Sequence, residues 1–375
     1  MNDLSERLAA RTLELVRIPS ESRQEAAALR AVRHAMPWEP SADRDACLLY
    51  LPLRRDDVPL VLLAGHVDTV PKAGSPSAAR RGNVIVGRGA ADMKAGCAVM
   101  IEVALDLTST PLGPDVDVGW VFFGREELAS DESALIPMLE GSGRARGAAL
   151  AIVMEPTDNA IEIGCLGNLN ALVVTRGVAA HSARPWLGDN AIHRAVGALK
   201  SIADLPVRDV DVEGLTYREA VNVTMINGGI APNVIPDTVT AHVNFRYAPT
   251  HTPGEAEARL RELLIFEPQV EVQVVSNSRP GPVTLSNPLV GRLRAAGDLP
   301  VRPKQAWTPV AEFAEVGIDA VNFGPGDPQY AHRDDERVEI PALVRSHEVL
   351  RSFLGSGLGS GHGSGHGAGL GRAGG

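Results

Sequence analysis

Four apolar runs, residues 60–64, 116–123, 149–154 and 320–323, set the strongest limit on what this chain can fold into. Runs of this length suit strands covered on both faces, the environment of a parallel sheet between helices. Helical patterns fall between them, over residues 93–107 and 130–139. That alternation predicts an α/β sheet with helices on both sides. Near the start, Leu4, Leu8 and Leu15 share one helical face, and Asp3 and Glu6 have the spacing of a capping box. The chain is therefore expected to open on an amphipathic helix and not on a targeting segment.

The middle of the chain has another rhythm. A strand at 169–175 precedes an amphipathic helix over 190–205 and strands at 221–226 and 238–247. A helix at 253–264, opened by Thr252, and a strand at 270–275 complete the series. The order β-α-β-β-α-β is ferredoxin-like. The expected organisation is a catalytic domain over 1–168 and 280–354, interrupted by an inserted domain over 169–279. Residues 355–375, GSGLGSGHGSGHGAGLGRAGG, read as a low-complexity tail that cannot bury a core.

Each apolar run delivers a ligand-type side chain at its carboxyl end, where open α/β sheets place their sites. The first leads into Gly65-His66-Val67-Asp68, and an extended backbone puts His66 and Asp68 on one face. The second leads to Glu126 and Glu127, the third to Glu155, and the fourth towards His332. A glycine-rich turn, Gly87-Arg88-Gly89, sets Asp92 at a helix N-terminus, where its carboxylate is expected to accept backbone N–H bonds. Singly these signals are weak, since an adjacent Glu pair is ordinarily a solvated helix start. Together, His66, Asp92, Glu127, Glu155 and His332 form an expected cage for two divalent cations. Two histidines with carboxylates suit zinc, with cobalt or manganese as substitutes, at a separation of roughly 3.5–4 Å. One acid of the 126–127 pair is expected to ligate while its neighbour serves as general base. Asp68 is expected to fix the tautomer of His66.

The net charge of −10 argues against a nucleic-acid partner or an anionic membrane surface, because both need a basic face. An anionic small substrate would need locally placed arginines. No run reaches the ~20 apolar residues of a membrane span. Cys47, Cys97 and Cys165 are odd in number and widely spaced, which suits a reducing cytoplasm better than a disulfide framework.

The segments GHVDTVP, GRGAADMK, REE and MEPTD and the late AH pair resemble a known family. It is the dinuclear zinc family of acetylornithine deacetylases, succinyl-diaminopimelate desuccinylases, aminoacylases and carboxypeptidases. The resemblance runs from about residue 5 to 354. Within it, GVAAHSARPWLGDNAIHRA, DVEGLTYREAVN, GGIAPNVIPDTVTAHVNFRYAP and AVNFGPGDPQYAHRDDE are most similar to actinobacterial succinyl-diaminopimelate desuccinylases. The resemblance implies that His66, Asp92 and Glu155 hold one ion and that Asp92, Glu127 and His332 hold the other. Glu126 is then the proton shuttle and Asp68 the residue that orients His66. His181 would complete the oxyanion site from across a homodimer built through the inserted domain. Asn233 and Arg246 would contact substrate carboxylates, with Thr308 and Arg184 as further contacts. The implied reaction is hydrolysis of N-succinyl-LL-2,6-diaminopimelate to succinate and LL-2,6-diaminopimelate.

One segment departs from the pattern. Trp307-Thr308-Pro309-Val310-Ala311-Glu312-Phe313 carries Glu312 where an arginine would bind a substrate carboxylate, so Glu312 is expected to repel one. Arg184 is the candidate to compensate. Two alternatives stand beside the desuccinylase reading. One is another amidohydrolase or dipeptidase of the family; the other is a metal-bound but catalytically silent binding protein, against which an intact Glu126 argues.

Overall fold

The computed structural model describes residues 3–53, 55–71, 77–110, 113, 115–264 and 270–355. The low-complexity tail beyond Gly355 lies outside the described residues. The first apolar run forms β1 (Leu60–His66), the second β2 (Asp117–Phe123) and the third β3 (Leu150–Val153). All three are buried at every residue, as strands covered on both faces should be. β1 lies between β2 and β3 and pairs with both in parallel, while Ala320–Asn322 adds a further parallel strand beside β3. Shorter strands extend this to eight, with antiparallel neighbours towards the edges. The chain leaves β1 to one side for β2 and then crosses to β3 on the other. A crevice opens at the carboxyl ends of strands where such a reversal occurs.

Helix α1 (Lys94–Leu107) connects β1 to β2 and is buried from Lys94 to Ala104. A helix apolar on all sides belongs inside a layered core. Gly96 allows its approach, because a Cβ there would collide with the carbonyl oxygen of Met154. The helix expected over 130–139 is broken into Ser130–Glu132 and Leu135–Glu140. The Ser133 hydroxyl accepts the Leu135 N–H at 3.1 Å, a local bond that competes with helix continuation. The opening helix covers Asp3–Arg17, so Asp3 lies inside it; Glu6 does not cap it but pairs with Arg80 at 2.6 Å.

The inserted segment forms a second sheet with its own apolar core around Val173, Val243, Phe245 and Leu260. Its strands are β4 (Gly167–Arg176), β5 (Leu215–Gly228), β6 (Thr238–Tyr247) and β7 (Val270–Ser278). They lie in the order β5-β6-β4-β7, all antiparallel, with α2 (Ala191–Ala203) and α3 (Pro253–Leu263) as the crossovers. β6 alternates between buried and partly buried at every residue, as its period-two sequence predicts. Thr252 and Glu255 close a full capping box on α3. The structure adds a strand that the sequence pattern did not suggest, Arg208–Val212, paired with the start of β5. Glu213 and Gly214, both at positive φ, turn that hairpin.

Candidate metal centre

β1 ends on His66, whose ring is fully buried. Its Nδ1 lies 3.1 Å from the Asp68 carbonyl oxygen and 3.4 Å from the Asp68 carboxylate. Its Nε2 therefore faces the other way, 3.2 Å from Asp92, 3.8 Å from Glu155 and 3.9 Å from Glu126. Asp68 is itself fixed on three sides. It accepts the Ser22 hydroxyl at 2.7 Å and the backbone N–H groups of Glu126 and Glu127, both at 3.2 Å. One carboxylate thus orients the histidine and holds the loop that follows β2.

Asp92 is placed differently from the expectation. Among the described residues no backbone N–H donates to its carboxylate; its own N–H and that of Ala91 donate to the buried Glu336, at 3.1 and 3.0 Å. Arg88 neutralises Glu336 at 2.9 Å. The Asp92 side chain is left to present one oxygen to each histidine: Oδ1 to His66 and Oδ2 to His332, each at 3.2 Å. His332, held at a φ of 63°, also lies 3.1 Å from Glu127. A carboxylate facing two imidazoles in this way has the form of a bridge between two cations.

The ligand-type atoms fall into overlapping groups that could each hold an ion: His66 with Asp92 and Glu155, Asp92 with Glu127 and His332, and His66 with Glu126 and Glu127. The electrostatics agree with that use. Burial pushes the Glu126 carboxyl well above the usual range, helped by Glu155 and Glu127. Burial and Asp92 push Glu155 up to about 7, and its Oε1 has no hydrogen-bond partner. Burial works against protonation of His66, yet Glu126, Asp68 and Asp92 hold its pKa above the ordinary value. Hydrogen bonds to Asp92 and Glu127 raise His332 to about 10. Acids this close repel one another, and divalent cations with neutral Nε2 ligands relieve that repulsion. The residues present therefore fit a pair of divalent ions.

These groups open onto a cleft of about 430 Å³. Of the expected substrate contacts, Arg246 and Thr308 line it. Arg246 projects from β6, with Nε donating to Asn244 at 3.1 Å, and no carboxylate among the described residues pairs with it. Thr308 is buried and its hydroxyl has no partner. His181, Arg184 and Asn233 do not line the cleft of the same copy. They lie together at a small two-stranded sheet formed by Ala180–His181 and Val234–Ile235, segments distant in sequence, where Ser182 N–H donates to the Asn233 carbonyl at 2.9 Å and Arg184 N–H to that of His181 at 2.8 Å. Glu312 does not line the metal cleft either, so the expected repulsion of a substrate carboxylate there is not what its position supports.

Sequence reasoning passed over several groups. Asn168 and Lys304 line the cleft. Lys304 is buried, pairs with Glu162 at 2.8 Å and donates to the Pro156 carbonyl at 3.3 Å, just beyond Glu155. Arg88 and Glu336 sit inside the quoted segments GRGAADMK and AHRDDE, but only the fold reveals their contact.

A Mycobacterium tuberculosis protein with the provisional name succinyl-diaminopimelate desuccinylase DapE is 40% identical over 353 residues, covering 92% of this chain and 97% of its own. A Corynebacterium glutamicum succinyl-diaminopimelate desuccinylase is 36% identical, covering 78% of this chain and 80% of its own. Among solved structures, a Staphylococcus aureus tripeptidase superposes with a TM-score of 0.75 at 20% identity, covering 93% of this chain and 97% of its own. The sequence pattern of Peptidase family M20/M25/M40 matches residues 62–356, and the chain belongs to that family.

Proposed function

We propose that this chain hydrolyses the succinyl amide of N-succinyl-LL-2,6-diaminopimelate, releasing succinate and LL-2,6-diaminopimelate. The observation that carries the reading is Asp92 with one oxygen towards each histidine, beside a Glu126 that belongs to neither of the two cages it joins. Relatives named for this activity, at 36–40% identity over most of the chain, supply the substrate. His66, Asp92 and Glu155 hold one ion, and Asp92, Glu127 and His332 the other. Zinc suits this donor set, with cobalt or manganese as substitutes. Bound there, divalent ions would supply an acidified water and Lewis-acid polarisation of the amide carbonyl.

The protein residues do the rest. Glu126 takes the proton of the attacking water and passes it to the leaving nitrogen; its raised pKa suits a group that must hold and then release that proton. Arg246, which lines the cleft with no carboxylate partner among the described residues, binds a substrate carboxylate, and the Thr308 hydroxyl donates to or accepts from the substrate. Asn233 and Arg184 serve the substrate from the small two-stranded sheet of the inserted segment. His181 of the partner subunit donates to the oxyanion.

The unpaired edge of the inserted sheet supports the reading of a homodimer. Arg208–Val212 covers only Leu215 to Glu219 of β5, so the rest of that edge has no strand partner among the described residues. Met225 and Ile226 stand exposed there, and Ile192 and Val196 are exposed on α2, which packs along β5. An unpaired antiparallel edge with apolar flanks is self-complementary about a two-fold axis. The three described cysteines are free and buried, which supports the cytoplasm as the compartment. No helix among the described residues is long and apolar enough to cross a membrane.

The test is succinate release from N-succinyl-LL-2,6-diaminopimelate, with N-acetylornithine and a dipeptide panel beside it. We expect turnover of the succinyl substrate that vanishes with a chelator and returns with zinc or cobalt. Faster turnover of a dipeptide or an acetyl amide would reassign the substrate within the family.

A further inference from the structure

Beside the metal cleft lies a second cavity of about 260 Å³, and Trp307 forms part of the wall of both. It sits where the short helix α4 (Val310–Glu315) meets the end of β7, with Ala311, Glu312 and Glu315 on one side and Asn277, Ser278 and Arg279 on the other. Glu312 is the unusual member. It is 2% exposed, the Ser133 hydroxyl bonds to it, and its Oε1 has no partner. No lysine or arginine among the described residues forms an ion pair with it, and burial pushes its carboxyl up to about 7. A buried acceptor without a partner is costly, and an apolar residue would remove that cost.

The chemistry narrows the choice of ligand. A metal ion asks for several hard ligands, and no group of His, Cys, Asp or Glu around Glu312 among the described residues could hold one. A single carboxyl oxygen on the wall of a cavity suits an N–H donor carrying positive charge. Arg279 is the one cation on the lining. We propose that this cavity binds the ammonium group of a ligand, with Glu312 as its counter-charge and Arg279 placed for a carboxylate beside that ammonium. An arginine at position 312 would select a carboxylate; Glu312 reverses the sign of the group that can be held. The wall shared through Trp307 makes this the pocket for the far end of a leaving group whose amide lies in the metal cleft, and in that respect the inference rests on the amide-hydrolase reading. A free diamine carries the same chemistry.

The experiment compares LL-2,6-diaminopimelate with L-2-aminopimelate, which lacks only the second amine, by calorimetric titration of the metal-loaded chain and of Glu312→Gln. The native chain is expected to bind diaminopimelate about 10- to 100-fold more tightly, and the ratio is expected to fall to about one in the variant. An unchanged ratio in Glu312→Gln overturns the proposal, and so does a ratio of one in the native chain, whatever the variant does. A titration with 1,5-diaminopentane separates the two sources. Binding that Glu312→Gln abolishes shows a site open to free amines; discrimination between the pimelates without diaminopentane binding ties it to the leaving group. Calorimetry needs no turnover, so a chain that hydrolyses no succinyl amide refutes the amide-hydrolase reading and leaves this test intact. Turnover of both succinyl derivatives at equal kcat/KM, with equal affinities, refutes the cavity's role alone.

Discussion

The two regions that supply functional residues are built on opposite terms. The cluster at the ends of β1, β2 and β3 is mostly enclosed: His66 and Asp68 are fully buried, Asp68 accepts two backbone N–H groups, and Asp92 and Glu127 face histidines, with His332 its exposed member. The two-stranded patch carrying His181, Arg184 and Asn233 is open, and Val178, Trp186 and Leu187 around it are exposed. A buried cluster can hold its geometry within one copy of the chain. An exposed two-stranded patch with apolar neighbours gains a defined position only when something covers it. On the proposed reading, the ligand-type residues and Arg246 meet within one copy, while His181 acts only from a second.

The sharpest way to break that comparison is through the two residues assigned to proton transfer and oxyanion binding. Glu126→Gln is expected to lower kcat by ~10²–10⁴ with both metals still bound, measured by steady-state rates beside metal analysis. His181→Ala is expected to cost ~10²–10³ in kcat, the usual loss for one oxyanion donor. Mixing the two variants then gives a result that neither can give alone. In a heterodimer, the copy with intact Glu126 meets the intact His181 of its partner, so activity returns to roughly a quarter of native after random exchange. No recovery on mixing would place His181 in its own copy's site and undo the division between the regions.

How much of this was legible in the sequence depended on how far apart the cooperating residues lie. Buried strands announced themselves as apolar runs; His66 and Glu155 directly follow theirs and Glu126 and Glu127 lie close behind, whereas Asp92 was reached through a glycine-rich turn and His332 stands well beyond its run. β6 was legible to the residue, because its alternation matches its half-buried face. The supports were not. Glu336 binds the N–H of Ala91 from 245 positions away, and Lys304 reaches the Pro156 carbonyl from 148 away. No periodicity reports such contacts. Glu312 was legible as a departure but not in its effect, since only the fold shows which of two adjoining cavities it lines.

The second cavity, which shares Trp307 with the metal cleft, holds a buried acid whose state depends on pH. The folded-state carboxyl of Glu312 is raised from 4.5 to about 7 by burial, with Glu315 adding to the shift. A raised acid binds its proton more tightly in the folded state, so its contribution is favourable at low pH and is lost as pH rises from 4.5 through about 7. Glu312→Gln removes that loss. Compared with the native chain, the variant is expected to gain on the order of 3 kcal/mol of relative stability between these limits, whatever constant offset the amide introduces. Denaturant unfolding of both proteins across that range measures it. A difference independent of pH would mean that the carboxyl is not held in a desolvated place.

The smallest effect tests whether the metal cluster owes its self-sufficiency to its supports. Glu336 touches no ligand atom of the cage, yet it holds the N–H groups of Ala91 and Asp92 and is neutralised by Arg88. Glu336→Gln keeps the shape and one acceptor but removes the charge. Buried Arg88 then loses its counter-ion, and the turn beneath Asp92 loosens. Because Asp92 faces both histidines, a loosened turn weakens both cages at once. Metal affinity is expected to fall about 10–100-fold, read by competition with a chromogenic chelator. Activity should fall at limiting metal and recover substantially when metal is in excess, because the proton-transfer group Glu126 is held by Asp68 and not by Glu336. A variant with native affinity but lowered kcat at saturating metal would show that Glu336 acts on the reaction itself, and the cluster would then extend further than its ligands.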